Sequence, residues 1–268
     1  MSITHSAMAE TTNPSQATMK FAIVYIPGAL MLGRSMNKIR AFLKHALTPH
    51  DIESMTWQYN PYEQKESALD SLLTQISKIP DLDERRLVLV GESYGLDIAI
   101  EFRQRHDLDA LVIGSSPSAT LLQPTVELRR KNTALDRRHY QDLFNNDVGE
   151  ALARNWFKWH DQEYINPASY AAVGKVIIFT GVAIDNPNPK NQTRLNKDHL
   201  EFLHSHPRIM SINLDGQGHR VMLTAAAFIA FTCRTYIMHP NLRPSGHLKL
   251  PNIDDPKIYH PMDGKIVL

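Results

Sequence analysis

The sequence predicts an α/β fold: a mostly parallel six-stranded sheet with helices on both faces and a helical insertion set over it as a cap. Three observations lead there. Short apolar runs of strand length alternate with segments of helical period along the chain. One of those runs passes directly into a helical segment through Gly91-Glu92-Ser93-Tyr94-Gly95. A long stretch between the strand candidates 110–114 and 175–180 carries helical spacing of its own. The 268 residues, 43% of them apolar, can fill the core of one such domain with a small insertion.

Residues 1–19 are polar and aperiodic and read as a flexible leader. Lys20-Phe-Ala-Ile-Val-Tyr-Ile26 follows, an apolar run of the kind buried on both faces of a parallel sheet, ended by Pro27-Gly28. Ile39, Phe42, Leu43 and Leu47 give 34–47 a helical stripe, and 52–59 is a more polar strand. Asn60 with Pro61 behind it predicts a helix start, and Leu69, Leu72, Leu73 and Ile76 supply that helix's apolar face. Arg86-Leu-Val-Leu-Val90 is the clearest strand, followed by a helix over 94–106. Strands at 110–114, 175–180 and 208–214 and a helix over 219–236 complete the domain, which spans 20–237.

So long a connection after residue 114 is too long for a plain loop, and 121–131, 133–145 and 148–159 have helical spacing. We read about 117–173 as an inserted cap. Its aromatic residues, Tyr140, Phe144, Trp156, Phe157, Trp159 and Tyr164, read first as packing between cap and sheet, and second as a lining for an acyl or aromatic substrate. Its basic residues, Arg129, Arg130, Lys131, Arg137 and Arg138, read as a solvated face diluted by Glu127, Asp136 and Asp142. Residues 238–268, rich in Pro and His, carry no clear element and read as an irregular tail.

The chemistry is concentrated at Ser93. Glycines two before and two after a serine, between a strand and a helix, allow a sharp turn that lifts its Oγ above the strand ends, at the electropositive start of the helix. A serine hydroxyl needs a positioned base. Among 13 histidines, His219 has the right place, in Leu214-Asp-Gly-Gln-Gly-His219, after the last of these strands and before the last helix. The base in turn needs a carboxylate. Asp185 follows the strand at 175–180; Asp215, in the histidine's own loop, and Asp161, in the cap, are rivals. His199, His204 and His206 form a cluster without a metal-ligand pattern around it and read as a helix end.

This arrangement resembles the α/β-hydrolase superfamily over roughly residues 20–237, in the chain order Ser93, Asp185, His219. The visible strands would be the family's third to eighth. The resemblance implies an oxyanion hole made by the amide of Tyr94 and a second amide from the Pro27-Gly28-Ala29-Leu30 loop, with Ala29 ahead of Leu30. Two departures stand out. Pro27-Gly28 takes the place of a common His-Gly pair, and Leu96-Asp97 takes the place of a second glycine after the elbow.

The expected activity is hydrolysis of a small to medium carboxylic ester or thioester through an acyl-enzyme, with a small-molecule acyl substrate and neither metal nor organic cofactor. Acyl transfer by the same triad and a non-catalytic binding module are the alternatives. A net charge of +1 offers no global attraction for nucleic acid. No stretch has the length of a transmembrane helix, no secretory h-region is visible, and the lone Cys233 fits a reducing compartment, so a cytoplasmic protein is expected.

Overall fold

In the computed structural model the described residues are 18–28, 36–57, 60, 63–115, 167–182, 197–215, 217, 221–250, 259–260 and 265–266. Among them, seven strands form one sheet: β1 (Lys20–Ile26), β2 (Asp51–Thr56), β3 (Arg86–Glu92), β4 (Ala110–Ser115), β5 (Val176–Val182), β6 (Ile209–Asp215) and β7 (Gly246–Leu250). Their spatial order is β2-β1-β3-β4-β5-β6-β7, and every pairing is parallel. A separate two-stranded piece joins β8 (Tyr259–His260) to β9 (Lys265–Ile266).

The order explains the sequence pattern. In β1, every residue from Phe21 to Ile26 is buried, because a central parallel strand is covered on both faces. β2 is an edge strand and only half-buried, hence its polar composition. The chain steps from β1 outward to β2, then crosses back over β1 to β3 and continues to the other edge. Neighbouring connections therefore diverge between β1 and β3, which opens a crevice at their carboxyl ends.

Helices α1 (Asn37–Ala46), α6 (Val221–Thr224) and α7 (Ala226–Met238) cover one face. Their partners from the sheet are Ile23, Val88, Val90, Ile113, Phe179 and Ile212. Phe179 meets Phe228 edge to face, with ring centroids 6.2 Å apart. Cys233 is fully buried in this layer, and burial pushes its thiol pKa up. Helices α2 (Lys65–Ile76), α3 (Tyr94–Arg105), α4 (Pro167–Val173) and α5 (Lys197–Ser205) cover the other face, over Val24, Leu89, Val112, Val176 and Ile178.

The structure corrects three expectations. The sheet has seven strands rather than six, and the additional one, β7, lies in the segment read as an irregular tail. Residues 246–250 are nearly all exposed, and the alternation His247-Leu248-Lys249-Leu250 is too short to mark a strand that is held chiefly by main-chain pairing to β6. Helix α2 starts at Lys65 and not at Pro61. Asn60 instead accepts the Glu63 amide on its carbonyl at 3.1 Å, a turn ahead of the helix. Finally, the helix expected over 219–236 is two helices broken at Ala225 (φ −112°, ψ 23°), which lets α6 pack at β5 while α7 lies along α1. The helices expected at 121–131, 133–145 and 148–159 lie outside the described residues.

Candidate active site

Ser93 sits between β3 and α3 with φ 54° and ψ −122°, a region that residues with a Cβ rarely occupy. The surroundings impose it. The Ser93 amide donates to the carbonyl of Ser115 at the end of β4 (2.8 Å), and the Ser93 carbonyl accepts the Leu96 amide (3.0 Å). A Cβ on Gly91 would stand 2.5 Å from the Gly95 oxygen and 2.6 Å from the Leu96 Cα. One on Gly95 would press into the Ile26 carbonyl and lie 2.6 Å from that of Pro27. One on Gly114 would meet the Leu96 side chain, at 2.7 Å from its Cγ. The two motif glycines thus let the turn fold on itself and let α3 begin in contact with the end of β1.

That contact adds something the motif alone did not contain. Pro27 begins the connection expected to give the second oxyanion amide, and its backbone abuts Gly95. Tyr94 is the first residue of α3, where main-chain N–H groups lack intrahelical acceptors.

Ala29, Asp185 and His219 lie outside the described residues, as does Asp161. The strands that precede Ala29, Asp185 and His219 are described: β1 ends at Ile26, β5 at Val182 and β6 at Asp215. In a parallel sheet these carboxyl ends share the edge at which β3 delivers Ser93. The rival Asp215 is described. Its Oδ2 faces Lys249 Nζ of β7 at 3.6 Å, on the side of β6 away from β5 and β3.

On the α5 side of β5 and β6, the Thr180 hydroxyl and His204 Nε2–H both donate to Asn213 Oδ1, the latter at 3.2 Å. His204 stacks on His247 of β7, centroids 4.0 Å apart. Burial first, then the neighbouring His247, holds the His204 pKa below its ordinary value, against the opposing effect of the Asn213 bond. His206 instead packs against Phe202, ring centroids 5.2 Å apart and the rings tilted by 39°. Among the described residues no group of three or more His, Cys, Asp or Glu could hold a metal ion.

Sequence reasoning missed one polar pair beside the elbow. Asp97, in the first turn of α3, and Tyr170, in α4, are both buried, and the Tyr170 hydroxyl donates to Asp97 Oδ1. The pair is 73 residues apart in the chain, so no local signal marks it.

No protein-family model matches the chain, and no curated protein sequence matches it. Solved structures do. A carboxylesterase of the archaeon Nitrososphaera gargenis shares 14% identity at a TM-score of 0.55, over 82% of this chain and 92% of that one. An N-acyl homoserine lactone degrading enzyme shares 11% identity at 0.52, over 82% and 94%. The monoglyceride lipase of Saccharomyces cerevisiae shares 12% identity at 0.50, over 84% and 88%. These neighbours are α/β-hydrolases, and the chain has the α/β-hydrolase fold.

Proposed function

We propose that the chain is a serine hydrolase that cleaves a small to medium carboxylic ester or thioester through an acyl-enzyme. Ser93 attacks the acyl carbonyl. His219 takes the Ser93 proton, and Asp185 holds the imidazole in the required tautomer. The amides of Tyr94 and Ala29 stabilise the oxyanion, and His219 then activates the water that releases the acid.

The observation that carries this reading is the backbone of Ser93. A φ of 54° and ψ of −122° at a non-glycine residue is a costly conformation, of order 1–3 kcal/mol, and it stands at the end of a strand, at a helix start and beside a topological crevice. A turn that needed only to reverse direction would be served better by glycine. Serine there projects an oxygen where a helix start favours negative charge. The carboxylesterase and the monoglyceride lipase act on acyl–oxygen bonds by their names, which supports the same bond class here. No helix among the described residues is long and apolar enough to cross a membrane. A small-molecule acyl substrate and a cytoplasmic setting belong to the same proposal. Of the segment read as a cap, 117–173, residues 167–173 are α4 on the sheet face; the stretch ahead of α4 is proposed to close over Ser93 and exclude water.

The test is covalent labelling. A fluorophosphonate probe should modify the wild-type protein at Ser93, and Ser93→Ala should lose both labelling and hydrolysis of p-nitrophenyl esters while unfolding cooperatively as before. Labelling at another serine, with Ser93→Ala still active, would reject the assignment.

A further inference from the structure

Helix α3 carries the nucleophile at its start, and its position is tied to α4 at both ends. Near its end, Gln104 Nε2 donates to the Ser169 carbonyl at 3.2 Å, and Arg103 Nη1 donates to that of Gly174 at 2.5 Å. In its first turn, Asp97 accepts the Tyr170 hydroxyl. Asp97 is 2% exposed and Tyr170 is fully buried, among Leu96, Ile98, Ala99 and other apolar side chains of the same layer. A carboxylate and a phenol in such a place cost free energy that two apolar residues would not, even when bonded to each other. A pair kept at that cost supplies direction rather than stability.

Direction matters because Ser93 is strained, and a strained backbone persists only where its surroundings over-determine it. Apolar packing of Ile98, Ala99, Ile100 and Phe102 resists separation of α3 from the sheet but resists rotation about the helix axis weakly. A rotation of roughly 15° moves backbone atoms at the roughly 2.3 Å helix radius by roughly 0.6 Å, about the tolerance within which a catalytic group must be held. Asp97 lies four residues after Ser93, one helical turn on, so a bond there fixes the rotation where it affects the nucleophile most.

We propose that Tyr170 is a positioning residue for Ser93, its hydroxyl clamping Asp97 so that the first turn of α3 keeps the orientation that aims the nucleophile. This rests on Ser93 being the nucleophile. Tyr170 reaches the clamp from α4, the last part of the segment read as a cap, which packs against α3 on the sheet face. Burial, then the charge and hydrogen bond of Asp97, hold the Tyr170 pKa well above its ordinary value, so the hydroxyl remains a donor.

The experiment compares wild type, Tyr170→Phe, Asp97→Ala and Asp97→Asn, each confirmed folded by circular dichroism and thermal melting. Two rates are read: modification of Ser93 by a fluorophosphonate probe, and turnover of p-nitrophenyl butyrate. Tyr170→Phe removes the donor and Asp97→Ala the acceptor, so either alone decides. Both should lower the labelling rate and kcat by about tenfold, well inside the loss that a misplacement of about 1 Å can cause, with KM within about twofold of wild type. Asp97→Asn keeps an acceptor and should stay within about threefold of wild type. Folded Tyr170→Phe or Asp97→Ala protein that melts earlier but labels at the wild-type rate overturns the clamp and leaves the nucleophile standing. A loss in Asp97→Asn as large as in Tyr170→Phe also overturns it, by assigning the effect to charge. Wild-type protein that is not labelled at Ser93 overturns the nucleophile and the clamp together.

Discussion

The carbonyl of Ile26 occupies the space that a side chain on Gly95 would need, so the first turn of α3 lies directly against the end of β1. The elbow and the connection that begins at Pro27 are thereby one packed unit, and the stability of that unit and the reactivity of Ser93 should respond together.

Gly95→Ala tests the contact. Its Cβ meets backbone rather than the end of a flexible side chain, so helix or strand must shift. The expected cost is about 1–3 kcal/mol in denaturant unfolding, with a loss of fluorophosphonate labelling in the protein that remains folded. A variant as stable and as reactive as wild type would show that the two segments are not in the contact described.

Ser93→Gly should stabilise the protein while abolishing its activity. Glycine adopts φ 54°, ψ −122° without the side-chain penalty, and the relief of roughly 1–3 kcal/mol exceeds the roughly 0.5–1 kcal/mol that glycine costs through the unfolded chain. A rise in Tm with no hydrolysis is the expected pair of results. A fall in Tm would mean that Ser93 is not strained in its folded state.

Asp185→Asn should reduce kcat by on the order of 10⁴, the loss seen when the acid of a serine-protease triad is replaced. Asp215 is half-buried, and its ion pair with Lys249 is open to solvent on the lysine side; Asp215→Asn should leave kcat near wild type, with a stability change of about 1 kcal/mol. Steady-state kinetics on both variants decides between them. The opposite ranking would transfer the acid role to the histidine's own loop.

The His204–His247 stack should make the fold acid-sensitive. The pKa of His204 is depressed in the folded state, so the unfolded chain takes up its proton first. The contribution is therefore present above the unfolded value of about 6.5 and is lost as pH falls through that value toward the lower, folded one. Tm should drop between about pH 7 and 5, and His204→Gln should flatten that slope. An unchanged slope in the variant would assign the acid sensitivity to other groups.

What the sequence determined by itself is what contiguous residues decide. β1 and β3 were legible because a strand covered on both faces must be apolar along its whole length, and the fold class followed from their alternation with helices. The elbow was legible because its constraint is steric and local: Gly91 and Gly95 are needed within five residues of one another. Tertiary structure alone decided the rest. β7 forms because the open edge of β6 offers main-chain partners, which needs no side-chain pattern in 246–250. Gly95 against Ile26, Asp97 with Tyr170, and His204 on His247 each join segments far apart in the chain. Such contacts are set by how helices seat on a twisted sheet, and composition and period carry no record of that seating.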